Sequence, residues 1–150
     1  MARQRRAFTA WCPRDHVLLT EAAVLVALLH VGLATVSFAT TRRLLHRYSS
    51  RSRLPDGSRA HETIRAIAAA VTAVARRLPL RTTCLVEALA VEAMLRRRGF
   101  APALRIGVRE PGSGATGLAA HAWVECAGAV VVGGLPNLAD YAVFSESKHE

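Results

Sequence analysis

Apolar and polar positions divide the 150-residue chain into a helical half and a strand half. From Thr20 to Tyr48, TEAAVLVALLHVGLATVSFATTRRLLHRY reads as helix, with Thr20 as its cap, either continuous or split near Gly32. Within it, Ala22 to Ala39 carries eighteen residues without a formal charge. That length suits a membrane span and equally a helix buried in a core. His30 and the many small residues favour the core, with His30 as an interior histidine. SSRSRLPDGSR, at 49–59, has the composition of a loop. From His61, apolar Ile64, Ile67, Ala68, Val71 and Val74 recur at the helical period until Pro79 stops the run. Thr82 or Thr83 then caps a further helix carrying Leu85, Leu89, Val91 and Leu95. RRRG ends it, with Gly99 as the stop signal and arginines in the last turn, where the helix dipole favours them.

After Gly99 the period changes from helical to alternating. ALRIGVRE, 103–110, sets Leu104, Ile106 and Val108 against polar or small neighbours and predicts a strand. LAAHAWVECAG, 118–128, predicts a second, and AVVVGGL, 129–135, a third. Ala127-Gly128 is a tight turn that makes these last two a hairpin. Gly112, Gly114 and Gly117 mark a loop before the second strand, placed to act as a flap. The order predicts an α+β fold, N-terminal helices packed on a small antiparallel sheet. The domain plan is a polar lead-in over 1–16 and one domain over 17–150, helical over 17–99 and strand-rich over 103–144.

Composition narrows the function classes. Formal net charge is +9, from 20 Lys+Arg against 11 Asp+Glu, and only Lys148 is a lysine. Single-strand nucleic-acid binding wants aromatics among the basic residues, and aromatics are only 5%. An acidic peptide, partner or membrane surface fits the charge better than nucleic acid. Cys12, Cys84 and Cys126 are widely spaced and form no CxxC, so neither a metal site nor a cofactor is expected. Three unpaired cysteines suit a reducing cytoplasm. The basic N-terminus leads into no short apolar stretch with a cleavage site, which argues against a secretory signal.

Cys84 stands where a loop turns into a helix. Free N–H groups and the dipole at a helix N-terminus stabilise a thiolate and an oxyanion, so the position suits a nucleophile. His121, in AHAW, is the candidate base. Strand alternation puts His121 on one face with Trp123 and Glu125, and Ala120, Ala122, Val124 and Cys126 on the other. Glu125 reads as a rim or cross-strand charge, Cys126 as a buried small residue. Arg96, Arg97 and Arg98 read as a solvated helix end, or alternatively as a docking patch.

Together TTCLVEALAVEAMLRRRG, LRIGVR and AAHAWVE resemble the leader peptidase of lasso-peptide maturation, in its stand-alone protease form, a branch of the transglutaminase-like superfamily. The likeness runs over roughly 15–145 and is most specific from Arg81 to Gly134. It implies a transglutaminase-like, papain-like cysteine protease core, with Cys84 as nucleophile and His121 as base. The family's aspartate usually follows about a dozen residues after the histidine, where this chain has Gly133 and Gly134. Asp140 is the nearest downstream aspartate; Asn137 is the alternative, as is no third residue. Trp123 and Thr83, beside base and nucleophile, are the substrate-binding candidates. The resemblance further implies a precursor peptide as substrate, a separate leader-recognition protein and an ATP-dependent lasso cyclase as partners, and a cytoplasmic location with peripheral membrane contact as an option. A transglutaminase-like acyl transferase and a non-catalytic adaptor remain the other function classes.

Overall fold

A computed structural model describes residues 13–49, 59–79, 82–110 and 118–144. Residues 1–12 of the lead-in, Cys12 among them, the centre of the 49–59 loop and the proposed glycine flap lie outside the described residues, while residues 13–16 belong to the first helix. Four helices, α1 (Pro13–Thr35), α2 (Phe38–Ser49), α3 (Ala60–Arg77) and α4 (Cys84–Arg97), precede four strands, β1 (Ala103–Arg109), β2 (Ala119–Cys126), β3 (Ala129–Val132) and β4 (Ala142–Phe144). The sheet order is β3-β2-β1-β4, antiparallel throughout. The architecture is the expected α+β, helices first and a small antiparallel sheet after.

The first helix differs from the expectation at both ends. It starts at Pro13, ahead of Thr20, whose hydroxyl instead bonds back to the His16 carbonyl at 2.8 Å inside the helix. It breaks after Thr35, beyond Gly32, because Ser37 caps α2. The Ser37 hydroxyl accepts from the Thr40 N–H at 3.3 Å, the contact expected of a residue just before a helix.

α4 is the centre of the fold. It packs against α1, α2, α3 and the sheet. Val86 and every residue from Ala88 to Leu95 are buried, joined in one core with Leu25, Val26, Ile67, Val71, Leu104 and Val124. A helix buried on all sides needs no polar face, which explains its nearly unbroken small and apolar sequence. The exception is Glu92, 4% exposed. Its carboxylate is held by Arg42 of α2 at 2.7 Å and Arg96 at 3.0 Å. Gly99 ends the helix as expected: its N–H reaches the Arg96 carbonyl, while the Phe100 N–H reaches Leu95.

The arginine run, partly solvated as expected and with Arg97 exposed, is also tied to the rest of the molecule. Arg98 pairs with Glu21 of α1 at 2.6 Å, and Arg97 bonds the Tyr48 hydroxyl of α2 and lies 4.8 Å over its ring. Tyr48 in turn donates to Glu21 at 2.6 Å. Burial works against the Glu21 charge, yet the hydrogen bonds from Arg98 and Tyr48 and the charges of Arg98 and Arg97 together hold its carboxyl below the usual range.

The hairpin turn forms as expected, with Ala127 at φ 52° and Gly128 at φ 78°. The third strand is shorter than predicted. It ends at Val132, because Gly133 turns the chain at φ 77°. The fourth strand, three residues paired to β1, was not legible in the sequence.

Candidate active site

Cys84 is the first residue of α4 and is half-buried against the core. The exposed Thr83 is the cap: its hydroxyl accepts from the Val86 N–H at 3.4 Å, and its carbonyl from Glu87 at 3.2 Å. This leaves the N–H groups of Cys84 and Leu85 without an acceptor inside the helix. One turn on, burial pushes the Glu87 carboxyl up, against the pull of the Arg76 charge.

His121 is half-buried on β2, opposite Gly107 of β1. Its Nε2 lies 2.7 Å from the Gly133 carbonyl oxygen. A carbonyl only accepts, so Nε2 carries the proton and Nδ1 is left with a free lone pair. The imidazole is clasped on its other sides. Trp123 stacks on it at 6.1 Å and 17° between planes, and Tyr141 tilts against it at 5.7 Å. Trp123 is buried and donates its indole N–H to Glu125 at 3.0 Å. Its contacts are those of a shield around the histidine rather than of an exposed substrate platform. Glu125 also pairs with Arg105 across the strands at 3.2 Å, the rim charge expected of it. Cys126 is buried, which pushes its thiol up.

Gly133 is the residue that sequence reasoning missed. A Cβ there would lie 2.6 Å from the Ala122 carbonyl and 2.9 Å from the Trp123 Cα, and the positive φ adds strain for any side chain. Only glycine lets the chain approach β2 closely enough to present its carbonyl to His121. The available signal was the glycine pair itself, standing at the expected distance after the histidine. Asp140 closes a 3-10 turn (Leu138–Asp140) and is exposed. The ring beside His121 belongs to its neighbour Tyr141, and the bond to Nε2 comes from Gly133.

Cys84 and His121 are not hydrogen-bonded to each other. Ala122, Val124 and Cys126 enter the core beneath the helices, where Cys84 also packs, while His121 and Trp123 sit on the alternate face of β2. The described residues include no cluster of His, Cys, Asp and Glu able to hold a metal.

The profile of the transglutaminase-like superfamily matches residues 23–146. The chain belongs to the transglutaminase-like superfamily. The match spans both the helical core and the sheet, so it includes Cys84 and His121. Comparisons with curated proteins and with solved structures gave no match. Members of this superfamily usually are cysteine proteases or transglutaminases. Both chemistries pass through an acyl group on a cysteine, which agrees with a thiol at a helix start and an imidazole whose tautomer is fixed.

Proposed function

We propose that this transglutaminase-like protein is a cysteine peptidase that removes the leader from a lasso-peptide precursor. The observation that carries the chemistry is the His121–Gly133 bond, which leaves Nδ1 as the basic atom. Nδ1 takes the Cys84 proton, and the sulfur attacks the carbonyl carbon at the leader–core junction. The N–H of Cys84 supports the oxyanion. The imidazolium returns its proton to the leaving amine as the C–N bond breaks. Water, deprotonated by His121, then attacks the thioester and releases the thiol. Cys84 packs with the core face of β2 and His121 sits on the alternate face, so the step requires a rearrangement that brings the imidazole to the thiol. Thr83, exposed beside the thiol, contacts the peptide; Asp140 is the carboxylate available to replace the Gly133 carbonyl if the 133–140 loop shifts. A separate leader-recognition protein delivers the precursor, and an ATP-dependent cyclase closes the ring of the product.

The intact mass of the precursor after incubation with this protein and the leader-binding partner tests the reading. The expected result is one cut at the leader–core junction, absent with Cys84→Ala. Incorporation of an added amine in place of water would make the protein an acyl transferase instead. No reaction at all, with leader binding demonstrated, would leave the adaptor reading.

One feature adds a location to the proposal. His16–Thr35 of α1 is long and apolar enough to cross a membrane, yet only 22% of it is buried in the protein. Val17, Val24, Leu28 and Val31 are exposed along one helical face. We propose peripheral membrane contact of a cytoplasmic protein through that face. Flotation with anionic vesicles, lost in Leu28→Glu, is the expected outcome; wild-type protein remaining at the bottom of the gradient rejects it.

A further inference from the structure

Among the described residues, each half-buried arginine but one has an acid. Arg42 and Arg96 share Glu92, Arg98 holds Glu21, and Arg105 holds Glu125. Arg109, at the end of β1, is half-buried and makes no ion pair or hydrogen bond among the described residues. Its Nε is buried with no acceptor among the described residues. Desolvating a guanidinium without an acceptor is costly. The centre of the Tyr141 ring lies 5.5 Å from the Arg109 guanidinium carbon.

The place of this cation matters. Arg109 pairs with Ala119, and Gly107 with His121, so Arg109 and His121 are diagonal neighbours on one face of the sheet. Such neighbours lie about 7–8 Å apart. The ring under Arg109 is the same Tyr141 ring that leans on His121. The acids nearby do not answer it: Glu125 is committed to Trp123 and Arg105, and Asp140 is exposed without an ion pair among the described residues.

We infer that Arg109 is a substrate-binding residue, and that it takes a carboxylate of the bound peptide beside His121. This rests on the peptidase reading, because a peptide's own anions are its acidic side chains and its C-terminus. A planar guanidinium offers paired N–H donors, the geometry that suits a carboxylate. The carboxylate supplies the partner that Arg109 lacks among the described residues. The site thereby favours peptides that carry an acid at that position over their amide analogues.

The test is alkylation of Cys84 in the full-length protein by two reagents with the same leaving group, neutral iodoacetamide and anionic iodoacetate. The tryptic peptide Thr82–Arg96 carries Cys84 as its one cysteine, so mass spectrometry separates its rate from those of Cys12 and Cys126. The iodoacetate-to-iodoacetamide rate ratio at Cys84 is expected to fall about tenfold in Arg109→Gln. Arg109→Lys, which keeps the charge and replaces Gln as the decisive variant if that one does not fold, is expected to retain part of the ratio under the inference and lose none of it only if the charge alone matters, which also supports an anion site. An unchanged ratio in Arg109→Gln, with iodoacetamide reactivity still dependent on His121, overturns the carboxylate site and leaves the peptidase reading standing. Iodoacetamide reactivity indifferent to His121→Ala overturns the pairing on which both rest. The source of the carboxylate is read from protection of Cys84 by millimolar Ac-Ala-Glu-Ala-NH2 against Ac-Ala-Gln-Ala with a free C-terminus. Protection by the first assigns a side chain and by the second a terminus; protection by neither overturns the inference.

Discussion

The two ends of α4 are built differently. At the C-terminal end, Arg96, Arg97 and Arg98 reach three acceptors on three elements: Glu92 within α4, Tyr48 on α2 and Glu21 on α1. At the N-terminal end one hydroxyl, that of Thr83, caps the helix, and Cys84 stays half-buried beside N–H groups the helix leaves unused. One end is fastened to the rest of the molecule and the other is left chemically unfinished. Rigidity at one end of a buried rod fixes the position of the other, so a firmly anchored helix can present a reactive group without enclosing it.

The largest test of that contrast is Glu92→Ala. It removes the buried acid shared by Arg42, whose side chain is 13% exposed, and Arg96, and the expected loss of stability is about 3–5 kcal/mol by urea unfolding. Where the variant is still folded, Cys84 should keep its alkylation rate. A loss below about 1 kcal/mol would mean that the buried pair does not fasten the helix.

Gly133→Ala acts on the sheet side of the site. The new Cβ must push the loop off β2, so stability should fall by about 1–3 kcal/mol. The Gly133 carbonyl should also leave His121, and precursor cleavage should drop by about 10²-fold with KM little changed. A fall in stability with unchanged turnover would show that this carbonyl does not orient the base.

The smallest effect is on pH dependence. Glu21 titrates lower in the folded protein than in the unfolded chain, so it contributes stability above the ordinary glutamate range and loses it as pH falls through its depressed folded pKa. Arg98→Gln removes the strongest hydrogen bond to that carboxylate. The variant should be less stable by roughly 1.5 kcal/mol near neutral pH and should lose less further stability on acidification than the parent. Parallel urea-midpoint curves for the two proteins below the usual glutamate range would contradict the assignment.

Much of the fold was legible because its signals are local. Thr83, the run to Leu95, Gly99 and the Ala127-Gly128 turn each act within a few residues, and the structure uses each as its chemistry predicts. The break between α1 and α2 was harder, since Gly32 and Ser37 both allow one and only the Ser37–Thr40 bond decides between them. β4 was not legible at all. Three residues carry no measurable alternation, and the strand exists because β1 offers it an edge.

The candidate site divides along the same line. The residues suited to chemistry, Cys84 and His121, are visible from residue type and position, because a helix start and an alternating strand confer properties that the local sequence reports. What holds the imidazole is not visible. The sequence suggests an acid such as Asp140, whereas the contact is a backbone carbonyl brought in by a glycine turn twelve residues further on. A main-chain group has no side-chain identity to read, and its approach depends on how closely two segments pack. The partners of the arginines follow the same rule: composition gives twenty Lys+Arg, but only the packing of α1, α2 and β1 decides which guanidinium is neutralised and that the Arg109 Nε meets no acceptor among the described residues. Local period and turn chemistry thus determined the elements and named the thiol and the imidazole, whereas contacts between residues far apart in the chain decided what holds the imidazole and which acid each arginine meets.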